Sequence, residues 1–256
     1  MNSVAPTDLI AVSADLRVNA RSGLTSKAIT LLRGLALLVL VLRPLTTNAD
    51  INSPTTLAKT APAELTIGIM GDSLSAGYGL KQHEGWADLL SQKLATSHPN
   101  IKVVNASVSG ATTDAGLQML AGLLQKQPDI VILELGANDG LQGKPLGLIT
   151  RNLSTLITQT QATGAQVLLA GIQLPPNLGK RYTEPFFEQF ELLATQYNTA
   201  LVPFLLEGVA GNPSLMQADG LHPNRDAQNK ILANIWQSLE GLIQQQIEAH
   251  KTPSVN

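Results

Sequence analysis

The sequence predicts an α/β fold, a three-layer α/β/α sandwich around a five-stranded parallel sheet. Five apolar, β-branched-rich runs recur roughly 30 to 36 residues apart, the length of one strand-plus-helix unit. Stretches with apolar residues at helical spacing lie between them. No internal sequence repeat accompanies this rhythm, so it reflects layering and not a solenoid. Continuous apolar runs are what a strand buried on both faces requires, and helices on both sides of a parallel sheet provide that burial.

In chain order, the first strand is read at Leu65 to Met70 and is followed by an amphipathic helix from Gly85 to Thr96. A strand at Ile101 to Val104 precedes a helix at Ala115 to Gln125. The third strand, Ile130 to Leu135, leads into an amphipathic helix from Leu146 to Ala162. Val167 to Ile172 forms the fourth strand, before a helix at Glu184 to Tyr197. Leu201 to Phe204 forms the fifth, and the last helix runs from Asp226 to Ile247.

The chain of 256 residues is long enough to bury a sizeable core, and its N-terminal fifth does not look globular. The apolar run Gly34 to Leu42 follows Lys27 and Arg33 and precedes Pro44 and Thr47-Asn48-Ala49. That order reads as a secretory signal cleaved after Ala49, and the run falls short of the ~20 residues of a membrane span. The expected organisation is an extension and signal peptide at 1–49, a linker at 50–63, the folded domain at 64–248 and a tail at 249–256. The expected location is periplasmic or secreted, the alternative being retention by an uncleaved anchor. There is no Arg-Arg pair for twin-arginine export.

With no cysteine in the chain, disulfides, thiolate catalysis and cysteine-ligated zinc are excluded. The formal charge is −2, and because residues 1–49 are basic the remainder is more acidic, at about −5. No basic stripe offers to pair with phosphates, so no nucleic-acid partner is expected. With four His and no HExxH spacing no catalytic metal is expected, and Gly136 to Gly143 lacks the Gly-Lys-Ser/Thr ending of a phosphate loop, so no cofactor is expected either.

In a parallel α/β sheet, ligands bind where loops leave the carboxyl ends of the strands. Gly71-Asp72-Ser73-Leu74 follows the first strand, Asn105 to Gly110 the second and Gly136-Ala137-Asn138-Asp139 the third, while Asp219-Gly220-Leu221-His222-Pro223-Asn224 lies in the last loop. All four fall on one sheet edge. A serine hydroxyl needs a neighbouring imidazole to remove its proton, and Asp219, three residues before His222, is placed to take the other ring N–H. Asp72 and Asp139 are read as braces that accept backbone N–H bonds in their loops. His83, His98 and His250 lack such neighbourhoods and are read as surface residues.

The four blocks, with Asn105-Ala106-Ser107, Glu134-Leu135, Leu174-Pro175-Pro176-Asn177, Arg181-Tyr182 and Asp219 through Gln228, resemble the SGNH subgroup of the GDSL hydrolases over about Leu65 to Leu242. The resemblance implies a flavodoxin-like sheet, Ser73 as nucleophile and His222 as its general base. It implies an oxyanion hole made by the backbone N–H groups of Ser73 and Gly110 and the side-chain amide of Asn138. Ala111 and Lys144-Pro145 depart from the resemblance, which implies an acidic residue at the first and an apolar or aromatic residue followed by a polar one at the second.

The expected activity is hydrolysis of a small acyl ester, thioester or lysophospholipid by a monomer, with transient contact with lipid. Leu74, Leu141, Ile172, Leu174, Pro175, Pro176 and Leu178 offer apolar surface for an acyl chain. The two glycines of Gly140-Leu141-Gln142-Gly143 suggest a mobile lid. Lys180 and Arg181 read as a solvated basic pair, the alternative being a contact with an anionic head group. A carbohydrate O-deacetylase, or a noncatalytic acyl- or glycan-binding module, would use the same fold.

Overall fold

The computed structural model describes residues 65–251; the extension, signal and linker expected at 1–63 and the last five residues of the tail lie outside them. Five strands, β1 (Leu65–Gly71), β2 (Ile101–Asn105), β3 (Ile130–Glu134), β4 (Gln166–Ala170) and β5 (Ala200–Val202), form one sheet in the order β2-β1-β3-β4-β5. Every pairing is parallel. β1 and β3 are central and almost wholly buried, whereas the edge strands β2 and β5 are only partly covered. Ile67, Ile69 and Ile132 are fully buried, each contributing roughly 1.5 to 3 kcal/mol of burial.

The strand order dictates the layers. Parallel strands are joined by right-handed crossovers. The chain steps one way from β1 to β2 and the opposite way from β2 through β3 and β4 to β5, so the connecting helices divide between the two faces. α2 (Trp86–Ser97) packs with α7 (Gln228–Lys251) on one face. On the other, α3 (Thr113–Leu124), α5 (Leu146–Gln161) and α6 (Lys180–Tyr197) pack in sequence. The predicted three-layer sandwich on a parallel sheet is the architecture observed.

Two short helices sit at the carboxyl edge where loops were expected, α1 (Ser73–Ala76) and α4 (Ala137–Leu141). α4 changes the reading of the Gly140 to Gly143 segment, because Gly140 is buried. A Cβ there would stand 2.6 Å from the Leu174 side chain, so this glycine permits close packing and is not a hinge. α6 begins at Lys180, four residues before the expected Glu184, and runs through Pro185. Proline near a helix start suggests that the helix begins beside it. Here Tyr182 anchors an earlier turn by donating its hydroxyl to the Lys144 carbonyl at 2.7 Å. α7 extends to Lys251, beyond the expected Ile247.

Candidate active site

At the end of β1 the chain turns sharply. Asp72 caps α1, accepting the Leu74 N–H at 3.0 Å, and Ser73 becomes the first residue of that helix, half-buried at the sheet edge. Only glycine fits at 71, where a Cβ would lie 2.5 Å from a Glu134 carboxyl oxygen and 2.6 Å from the Ser75 hydroxyl. The glycine of the first block therefore makes room for a carboxyl group from β3.

Asp219 and His222 occupy a loop closed on itself. A bridge pairs Met216 with Pro223, and the Gln217 N–H donates to the His222 carbonyl at 2.7 Å. One Asp219 oxygen accepts the backbone N–H groups of Leu221 at 2.9 Å and His222 at 3.0 Å. The other lies 2.7 Å from His222 Nδ1. His222 Nε2 lies 2.9 Å from Ser73 Oγ, across 149 residues of sequence. With its Nδ1–H directed to a carboxylate, the imidazole keeps its Nε2 lone pair for the serine hydroxyl.

Asn138, in α4, directs its amide toward Ser73's neighbour. Its Nδ2 donates to Asp72 Oδ2 and to the Ala111 carbonyl, each at 3.0 Å. Gly110 lies in the loop after β2, which continues along β1 through Ala106 N–H to the Ile69 carbonyl and Val108 N–H to the Gly71 carbonyl. Its φ of 81° is left-handed, the conformation for which glycine is suited. Ser73, Asn138 and His222 line a cavity of about 530 Å³; Gly110 is not part of that lining. The remaining wall is largely apolar. Leu74, Leu141, Ile172, Leu174, Pro175 and Pro176 contribute to it as expected, but Leu178 packs against the core instead.

The GDSL-like lipase/acylhydrolase family model matches residues 69–230, which include Ser73, Gly110, Asn138, Asp219 and His222. The chain belongs to the GDSL family of lipases and acylhydrolases. Esterase TesA of Pseudomonas aeruginosa is 47% identical over 182 residues, covering 71% of this chain and 90% of that protein. Thioesterase 1/protease 1/lysophospholipase L1 of Escherichia coli is 42% identical over 184 residues, covering 72% and 87%. The crystal structure of the psychrotrophic esterase EstA from a Pseudoalteromonas species, inhibited by monoethylphosphonate, superposes with a TM-score of 0.67 at 41% identity, over 70% of this chain and 98% of that one.

Charge is unevenly held around the site of this GDSL domain. Asp219 is kept at about 2 by the His222 N–H, the imidazole and the Leu221 N–H, so it is ionised wherever an imidazole can act as a base. Asp72, almost fully buried, is pushed up to about 6 by burial despite the Leu74 N–H. Glu134 is fully buried and rises well above the ordinary carboxyl range, by burial first and then by the adjacent Asp72 charge. The Ser75 hydroxyl at 2.7 Å and the Asp72 N–H at 3.2 Å share one Glu134 oxygen, and the other has no hydrogen-bond partner among the described residues. A neutral acid suits that surrounding better than a carboxylate.

The raised Asp72 sets a sign for stability. From its ordinary 3.8 up to about 6, the unfolded chain has released this proton while the folded one still holds it, so stability falls as pH rises through that window. An Asp72→Asn variant does not titrate there. The Tm of the variant minus that of the parent is expected to increase from about pH 4 to about pH 7. A difference independent of pH would show that Asp72 ionises normally.

Asp139 braces its loop, accepting the Thr113 N–H and hydroxyl, each at 2.8 Å. Lys144 lies 3.3 Å from it and 3.0 Å from Asp114, which accounts for a lysine where the resemblance calls for an apolar residue. Lys180 is exposed and reaches Glu184 at 3.8 Å, and Arg181 is exposed as well. None of His83, His98 and His250 lines the cavity. Sequence reasoning missed the bracing by Glu134 and the wall supplied by Phe204, Leu206, Ala210 and Met216. A lone carboxyl in the apolar run Ile130 to Leu135 was the available signal for the first; the second carries no periodic pattern.

Proposed function

We propose that the chain is an exported serine esterase that hydrolyses acyl ester and thioester bonds, of the arylester, acyl-CoA and lysophospholipid kind, through an acyl-enzyme on Ser73. The observation that carries this reading is the linked geometry of Ser73 Oγ, His222 and Asp219, at 2.9 and 2.7 Å, beside an apolar cavity. His222 Nε2 takes the hydroxyl proton as Ser73 attacks the carbonyl carbon, and returns it to the departing alkoxide or thiolate. A water, deprotonated by the same nitrogen, then attacks the acyl-enzyme; the bond to Ser73 Oγ breaks, the acid is released and Nε2 returns the proton to the serine. Asp219 stabilises the imidazolium in both halves.

The developing oxyanion is met by the backbone N–H groups of Ser73 and Gly110 and by the Asn138 amide. Both hydrogens of that amide already serve Asp72 and Ala111, so one bond is shared or exchanged when the oxyanion forms. Asn138→Ala is expected to lower kcat by about 10²- to 10³-fold, roughly 2.7 to 4 kcal/mol of transition-state stabilisation. An effect confined to KM in steady-state kinetics would make Asn138 a substrate-positioning residue instead.

A cavity of about 530 Å³ with mostly apolar walls exceeds the needs of an acetyl group and favours acyl chains over sugar acetates. The test is kcat/KM across p-nitrophenyl esters of increasing chain length, acyl-CoA, lysophospholipid and acetylated xylan. A preference for the xylan would replace this reading with O-deacetylation. Export rests on the apolar run within residues 1–49. A mature mass beginning at Asp50 in the exported fraction is expected, and an intact N-terminus would favour the uncleaved anchor.

A further inference from the structure

His222 sits on a loop that closes on itself, yet its partner Ser73 belongs to a turn 149 residues earlier. The internal bonds hold Asp219 against His222: the Met216 and Pro223 bridge, the Asn224 N–H to the Leu215 carbonyl at 2.8 Å, and the Asn224 side chain to the Ser214 carbonyl at 2.8 Å. They do not set the position of this closed unit against the serine. A bond from His222 to the serine hydroxyl is remade during each turnover and cannot serve as the anchor.

The side chain of Gln217 spans the gap. Its Nε2 donates to the Tyr78 carbonyl at 2.8 Å, in the turn that leaves α1, and to the Pro223 carbonyl at 3.0 Å, next to His222. Both amide hydrogens are used, one on each side of the catalytic pair. A Cβ at Gly79 would run into the amide oxygen, so the main chain of the serine turn is shaped to admit this side chain. The same tie holds the Tyr78 ring against the imidazole, with centroids 4.5 Å apart and planes tilted by 41°. The other links between these regions lie farther from the chemistry. Arg225 meets Glu84 at 3.3 Å from an exposed position, where an ion pair contributes little. Gln228 accepts the Trp86 N–H at 3.0 Å and serves the start of α2.

We infer that Gln217 is the positioning residue of the catalytic base, a clasp between the serine turn and the histidine loop that sets the distance from Ser73 Oγ to His222 Nε2. The inference rests on the serine esterase reading. It predicts a defect in proton transfer and not in substrate binding, because Gln217 does not line the cavity. A misplacement of about 1 Å costs up to about 10²-fold in rate.

The test compares the parent with Gln217→Met, which keeps the length but donates nothing, and Gln217→Glu, whose carboxylate faces the two carbonyl oxygens. Expected for Gln217→Met is a kcat lower by about 10- to 100-fold with KM unchanged, and a matching fall in the rate of covalent inactivation by a p-nitrophenyl phosphonate. Its Tm stays at the parent's value, and Gln217→Glu loses more activity than Gln217→Met. Parent-like kcat and phosphonate reactivity in Gln217→Met would overturn the inference. So would a kcat loss without a matching loss of phosphonate reactivity, or one accompanied by a fall in Tm and reversed by assaying well below it, since both mark a purely structural role. If the parent's own ester hydrolysis does not depend on Ser73, the esterase reading fails first, and that result is distinct from either outcome.

Discussion

Ser73→Ala is expected to abolish hydrolysis of p-nitrophenyl acyl esters while leaving a folded protein. The change removes one half-buried oxygen that meets His222 Nε2 and also interacts with the Asp72 side chain, so it opens no cavity in the core, and the α1 cap made by Asp72 to the Leu74 N–H persists. Chemistry loses far more than stability does. Without the hydroxyl there is no acyl-enzyme, and losses on the order of 10⁶-fold in kcat accompany removal of such a nucleophile. The oxyanion donors remain, so slow water attack on a bound ester can persist at a level far below the parent's. Retention of even a tenth of the parent kcat in the purified variant, with parent-like Tm, would refute Ser73 as the nucleophile.

Asp219→Asn is expected to lower kcat on the order of 10⁴-fold. The asparagine oxygen keeps the backbone bonds from Leu221 and His222, so the loop retains its shape. Its amide nitrogen now faces His222 Nδ1, where the carboxylate oxygen stood at 2.7 Å. Two donors cannot share that contact. The imidazole must carry its hydrogen on Nε2, and that nitrogen then has no lone pair for the Ser73 proton. Because the parent carboxylate titrates at about 2, its own protonation does not shape the parent's activity near neutrality. A variant with kcat within about tenfold of the parent would mean that something other than Asp219 orients His222.

The sheet was legible because its strands are buried on both faces. Central strands such as β1 and β3 are apolar at nearly every position, Thr66 and Glu134 excepted, and so long an apolar run is hard to mistake. The reading weakened toward the edges. β5 covers only Ala200–Val202, since Pro203, with no N–H to donate, leads the chain out of the ladder. The short helix α4 could not be anticipated, because five residues containing Asn, Asp and Gly have poor helix propensity. Packing of Gly140 against Leu174 holds that turn, and the contact joins two loops that are remote in sequence.

At the site, strand-end positions drew attention to the blocks around Ser73, Gly110, Asn138 and His222, the spacing of Asp219 to His222 paired those two, and the family resemblance implied the roles of Ser73, Gly110 and Asn138. Covalent chemistry restricts which side chains can serve, and a parallel sheet brings the ends of its strands to one edge whatever the intervening sequence. What the sequence by itself determined, then, is the layered fold and the chemical groups gathered at that edge. Only the tertiary structure decided how those groups are held: Glu134 beneath the serine turn, Asp72 against Asn138, and Gln217 reaching Tyr78 across 139 residues. Each of these contacts depends on the relative placement of two segments remote in sequence to a fraction of an ångström. That placement comes from packing of the whole core, to which no local pattern of residues is sensitive.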